Sequence, residues 1–138
     1  MVISQNSERL AIIALASDKQ ARHQVDALLV DSAFSSFRDM SRDALNGSVL
    51  TRWISYPLSY LIDDSWRPAE LIQEMCELPV IVVHGRADQI VPFHHGETIY
   101  NNSCSKKVLI ETNASHIASF HSLENQKQVL NSLNSMLK

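Results

Sequence analysis

Two residues of this chain stand where strand ends would present them for proton transfer, Asp88 and His116. Asp88 lies in PVIVVHGRADQIVP (79–92), in which a β-branched run, Val80 to Val83, leads through His84-Gly85 into a loop. Some twenty residues on, Val108-Leu109-Ile110 feeds the loop ETNASH (111–116), which ends on His116. Open α/β sheets place their ligand sites at the carboxyl edge of the strands. A carboxylate and an imidazole delivered there together have a defined chemistry. The carboxylate fixes the tautomer of a general base and stabilises the imidazolium that forms when the base takes a proton.

Other reactive side chains read more plainly. His94 and His95 are neighbours in sequence and point different ways on a helix, which is not a metal-ligand arrangement; they are expected to face solvent or line the acid loop. Asp31 ends a strand at the same sheet edge, where a turn or capping role suffices for it. Trp53, Tyr56, Tyr60 and Trp66 have a spacing that favours ordinary packing. Cys76 and Cys104 have neither metal spacing nor the density of a disulfide scaffold, and read as free buried thiols of a reducing cytosol, hence a cytoplasmic location.

The elements that would position the pair follow from hydrophobic periodicity. A helix is expected over Ser7–Ser17, with Ser7 as its N-cap, then a buried strand over Val25–Val30 and a helix over Phe37–Leu45 stopped by Asn46-Gly47. Leu50 to Ile62 reads as a helix interrupted near Pro57, and Pro68 opens a short helix running to Met75. A strand over 79–83, a helix over Pro92–Tyr100, a strand over Lys107–Ile110 and a helix over Ser122–Leu137 complete the order. Alternating strands and helices imply an α/β class with a parallel sheet and flanking helices. No repeat or linker interrupts it, so one domain is expected over 1–138.

Composition removes several classes of function. A net charge of −3, with the basic residues scattered, gives no electrostatic case for nucleic acid or an anionic membrane. No apolar run approaches bilayer length, and Met1 to Arg9 lacks the order of a signal peptide. The 3 glycines, Gly47, Gly85 and Gly96, limit how many close backbone turns the chain can make.

HGRADQIVPFHHG (84–96) resembles the acid-bearing segment of the α/β-hydrolases, HG-x-x-D followed by a V-P pair, and the nearer likeness is to the Bem46-like and S33-type serine hydrolases. VDALLVDSAFSSFRDM (25–40) is similar to the strand and loop leading into their lid region, and PAELI (68–72) to the short helix before the acid strand. The likeness runs from about Ala11 to Leu137 and covers the carboxy-terminal half of such a fold. It implies serine-dependent hydrolysis of ester, lipid or other acyl bonds, with Asp88 as triad acid, His116 as triad base and no cofactor or metal. The aromatic residues of 53–66 would then line a lid over an apolar acyl group.

One departure matters. The family's nucleophile sits in G-x-S-x-G, and none of the three glycines lies in such a pattern. By position the elbow would fall at Ile3 to Glu8, leaving Gln5 or Asn6 where the serine belongs; Ser4 and Ser7 lack flanking glycines. The resemblance therefore implies a chain that keeps acid and base and is inactive alone. An incomplete sheet would also leave an open edge, so a homo-oligomer or a partner chain across that edge is expected. The other outcome is a binding or scaffold module without chemistry.

Overall fold

The computed structural model describes residues 25–47, 53–61, 64 and 67–138. The helix expected over Ser7–Ser17, Ser4 with the elbow-equivalent stretch, Trp66 and the side chain of Tyr56 lie outside the described residues. Within them the order is β1 (Leu28–Asp31), α1 (Phe37–Asn46), α2 (Ser55–Ser59), α3 (Pro68–Leu71) continued by a 3₁₀ turn (Ile72–Glu74), β2 (Val80–Gly85), α4 (Phe93–Asn102), β3 (Lys107–Thr112), a second 3₁₀ turn (Ser119–His121) and α5 (Leu123–Met136).

The three strands form one parallel sheet in the order β1-β2-β3, with Val80 opposite both Leu28 and Lys107. Parallel strands need crossovers that cover both faces of the sheet, and the central strand must then be apolar throughout. β2 is buried along its whole length. Its side chains alternate between two cores. Val80 and Val82 join Leu28, Val30, Ile72, Met75, Leu78 and Ile99 beneath α3 and α4. Ile81 and Val83 join Ile110 and Val129 beneath α5. Full burial of each valine or isoleucine of β2 contributes about 2 kcal/mol, which makes this strand the anchor of the site at its carboxyl end.

Local chemistry explains the helix limits. Ser36 caps α1, its Oγ accepting from the Asp39 amide at 3.0 Å. Pro68 occupies the first turn of α3, where its missing N–H costs nothing. Lys107 closes the far end of α4, its Nζ donating to the carbonyls of Tyr100, Asn101 and Ser103. Pro57 lies within the single turn of α2 and does not break the helix there, while residues 50–52 and 62 of the expected helix lie outside the described residues. An early-turn proline is tolerated because its amide would be unpaired there in any case.

Three further expectations are corrected. Cys76 and Cys104 form a disulfide, and both residues are exposed; they are neither free nor buried. α4 packs on β2 and returns the chain to the start of the sheet, so the turn after α4 meets the turn before β2, with the two Cα atoms 4.9 Å apart. The premise for a cytoplasmic location therefore falls away. Trp53 and Tyr60 are exposed and do not pack into a core; Ser55 and Ser59 take the buried positions of α2. They do so because polar partners on α1 meet them there, Asn46 Oδ1 for Ser55 and Arg42 Nε for Ser59. The third correction concerns His94 and His95, described with the site. No described helix is long and apolar enough to cross a membrane.

Candidate active site

The loop after β2 is built around the Asp88 carboxylate. Its Oδ1 accepts from the amides of Ile90 and Val91, each at 2.9 Å, a turn in which the side chain replaces a backbone acceptor. Oδ2 is thereby left for another donor. His84 supports the turn from beneath, with Nε2 at 2.9 Å from the Val91 carbonyl and 3.7 Å from Asp88 Oδ2. His84 was not singled out from sequence; its place on a fully apolar strand, just before a loop carboxylate, was the available signal.

The loop after β3 brings His116 to that oxygen. His116 Nδ1 lies 2.9 Å from Asp88 Oδ2. A carboxylate accepts only, so Nδ1 carries the proton and donates it, which leaves Nε2 as the basic nitrogen. Asp88 is 6% exposed, whereas the His116 side chain is 22% exposed and open to a reacting group. The backbone immediately after the histidine is strained, since Ile117 has φ 55°, a left-handed value that a β-branched residue rarely adopts. A second such value, φ 51° at Ser32, follows Asp31 at the end of β1. Asp31 accepts from Ser32 Oγ at 3.1 Å, in keeping with a turn role.

Gly85 sets how closely the two loops approach. A Cβ placed there would lie 2.0 Å from the carbonyl oxygen of Ala114, within the loop that carries His116. Gly85→Ala is therefore expected to push this loop off the sheet edge and destabilise the fold by about 3 kcal/mol, the upper range for an overpacked site. Urea unfolding of the variant checks this, and an unchanged midpoint would contradict it.

Asp88's ionisation follows from the same contacts. Burial alone would raise its pKa, but hydrogen bonds from the Val91 amide, His116 and the Ile90 amide together outweigh it and hold the carboxyl below its ordinary 3.8. The folded value is the lower one, so the unfolded chain binds more protons in acid. The stabilisation is complete above about pH 4 and is lost as pH falls through the folded value. Asp88→Asn should flatten this acid limb, measured as unfolding midpoints between about pH 5 and about pH 3. Parallel slopes in the two proteins would count against the assignment.

His94 faces solvent as expected, whereas His95 departs from expectation, and the two rings converge. Their rings stack with centroids 4.4 Å apart, and each Nε2 lies 2.9 Å from Oδ2 of Asp43 on α1. His95 is fully buried, and Ser35 Oγ is 2.8 Å from its Nδ1. Adjacent helix positions diverge at Cα, yet two imidazoles in a first turn are long enough to converge on an acceptor held by a neighbouring helix. Burial, and next the positive charge His94 can carry, lower the pKa of His95 against the opposing pull of Asp43. Ser35, His95 and Asp43 also follow the order of a nucleophile, base and acid. Ser35 is 3% exposed, however, which keeps its hydroxyl from an incoming substrate.

The comparisons with known proteins bear on this geometry. Over 94% of its length the chain superposes on a meta-cleavage product hydrolase of Pseudomonas fluorescens, CumD, with a TM-score of 0.64 and 16% identity, covering 62% of that protein. An alpha/beta fold family hydrolase of Bacillus anthracis gives 0.59 and 11% identity over 93% of this chain and 63% of that one. This is part of an α/β-hydrolase fold. In sequence the chain is 26% identical to protein YfhR of Escherichia coli over 100 residues, which is 72% of this chain and 32% of that protein. It is 29% identical to YfhR of Salmonella typhi over 76 residues, 55% of this chain and 23% of that one. The chain thus spans about a third of the first of these curated relatives. No model of a known protein family matches it.

Proposed function

We propose that this α/β-hydrolase chain is the carboxy-terminal, acid-and-base half of a Bem46-like or S33-type serine hydrolase, whose reaction is hydrolysis of an ester, lipid or other acyl bond. The observation that carries the reading is the 2.9 Å contact between His116 Nδ1 and Asp88 Oδ2 at the carboxyl edge of a parallel sheet. His116 Nε2 would take the proton of a serine hydroxyl as it attacks the acyl carbon, then return it to the leaving group. Asp88 would hold the ring in the required tautomer and offset the imidazolium charge. This sequence contains no G-x-S-x-G, so the nucleophile comes from outside it, and the chain by itself turns nothing over.

A fluorophosphonate read by intact mass tests this. The chain alone should take no adduct. Supplied with an amino-terminal α/β-hydrolase half carrying a serine elbow, it should support a single adduct that His116→Ala abolishes. Labelling indifferent to His116, or none in the complemented sample, would overturn the proposal.

A second reading, a scaffold that oligomerises through its sheet edge, is favoured by one observation. Among the described residues β1 pairs with β2 alone, and its outer edge has no strand beside it. Light scattering after gel filtration separates the two, because a monomer at high concentration excludes the scaffold.

A further inference from the structure

We propose that Asp43, His94 and His95 form a site for a late first-row divalent metal ion, clamping α1 to the first turn of α4. The site is separate from the Asp88–His116 pair and does not depend on the catalytic reading. Its three donor atoms, one carboxylate oxygen and two imidazole Nε2 atoms, lie within 4.8 Å of one another. Both Nε2 atoms are 2.9 Å from the same oxygen, Asp43 Oδ2. A carboxylate oxygen has two lone pairs and could accept from both rings, so distance alone does not call for an ion; direction decides. Indeed, His95 Nε2 and Asp43 Oδ2 are both buried and neither makes a well-directed hydrogen bond to a described group. A buried polar atom left in this way is destabilising unless something else satisfies it.

A cation satisfies all three at once. Metal–nitrogen and metal–oxygen bonds of about 2.1 Å at right angles put neighbouring donors about 3.0 Å apart, close to the distance of each Nε2 from Asp43 Oδ2. Tetrahedral angles would spread them to about 3.4 Å, and one carboxylate with two imidazoles is a donor set that Ni²⁺, Cu²⁺ and Zn²⁺ all accept. The surroundings fit a ligand shell. With metal on Nε2 the His95 ring proton moves to Nδ1, where Ser35 Oγ, 2.8 Å away and itself buried, can accept it. The Ser35 amide, 3.3 Å from the same nitrogen, gives up a long contact in exchange. His94 is 53% exposed, which leaves a path for the ion and room for water to complete the coordination.

Calorimetric titration of the whole chain with Ni²⁺ tests the site, alongside electron paramagnetic resonance with Cu²⁺. One equivalent should bind, and the copper spectrum should show coupling to two nitrogens. His94→Ala alters an exposed side chain and leaves the core intact; it should weaken binding at least tenfold and remove one nitrogen coupling. Asp43→Asn should weaken binding comparably, and His121→Ala, at an exposed histidine elsewhere, should change nothing. Thermal unfolding should shift upward with Ni²⁺ in the parent chain and stay fixed in His94→Ala. No saturable binding, or binding indifferent to His94→Ala, would overturn the proposal.

Discussion

Asp88→Asn is expected to reverse the proton on His116 and, in the complemented enzyme, to lower turnover by about 10⁴, the size of the loss when a triad acid becomes an amide. The direction follows from donors and acceptors. The asparagine carbonyl can keep the two amide contacts that Asp88 Oδ1 makes with Ile90 and Val91. Its amide nitrogen then occupies the place of Oδ2, 2.9 Å from His116 Nδ1. That nitrogen donates, so Nδ1 must accept and the ring proton moves to Nε2. An imidazole protonated there cannot take the serine proton. Nitrogen NMR of the ring reads the tautomer on the chain alone, without any turnover. A ring still protonated at Nδ1 in the variant would mean that Asp88 does not orient His116. Because the backbone contacts survive, the fold should lose far less than in Gly85→Ala.

The double variant Cys76→Ser, Cys104→Ser is expected to lose about 3.5 kcal/mol, the loop-closure value for a link across a sequence separation of 28. The link joins the turn before β2 to the turn after α4, and so restricts an unfolded loop holding the central strand and the helix packed on it. Urea unfolding with and without reductant measures the effect. Reductant should weaken the parent chain and leave the double variant unchanged; equal stability in both redox states would dismiss the bond as a contributor. The bond lies at the start of β2 and Asp88 beyond its end, separated by six strand residues, roughly 20 Å. The tautomer of His116 should therefore be the same with or without the link, which separates loss of stability from loss of the site.

The sequence by itself determined the strands and the meeting of Asp88 and His116 at one sheet edge. β2 was legible because a parallel central strand must be apolar on both faces, and Val80 to Val83 satisfy that without any partner being known. Asp88 and His116 were legible because each follows its own strand within a few residues, and parallel pairing places both ends at one edge. Helix limits were legible to within a few residues wherever a breaker or proline marked them, as at Asn46-Gly47 and Pro68.

Tertiary structure alone decided what depends on the packing of separate elements. The Cys76–Cys104 link, the fit of Gly85 against Ala114 and the meeting of His94 and His95 at Asp43 each join residues dozens of positions apart. Periodicity reports which face of an element is apolar and says nothing of how far that element slides or turns on its neighbour. A helix displaced by one residue moves its side chains about 1.5 Å along the axis, enough to break a hydrogen bond while leaving the hydrophobic pattern intact. Distances at that scale are fixed by close packing in the assembled core, which is why the order of elements could be read along the chain and these contacts could not.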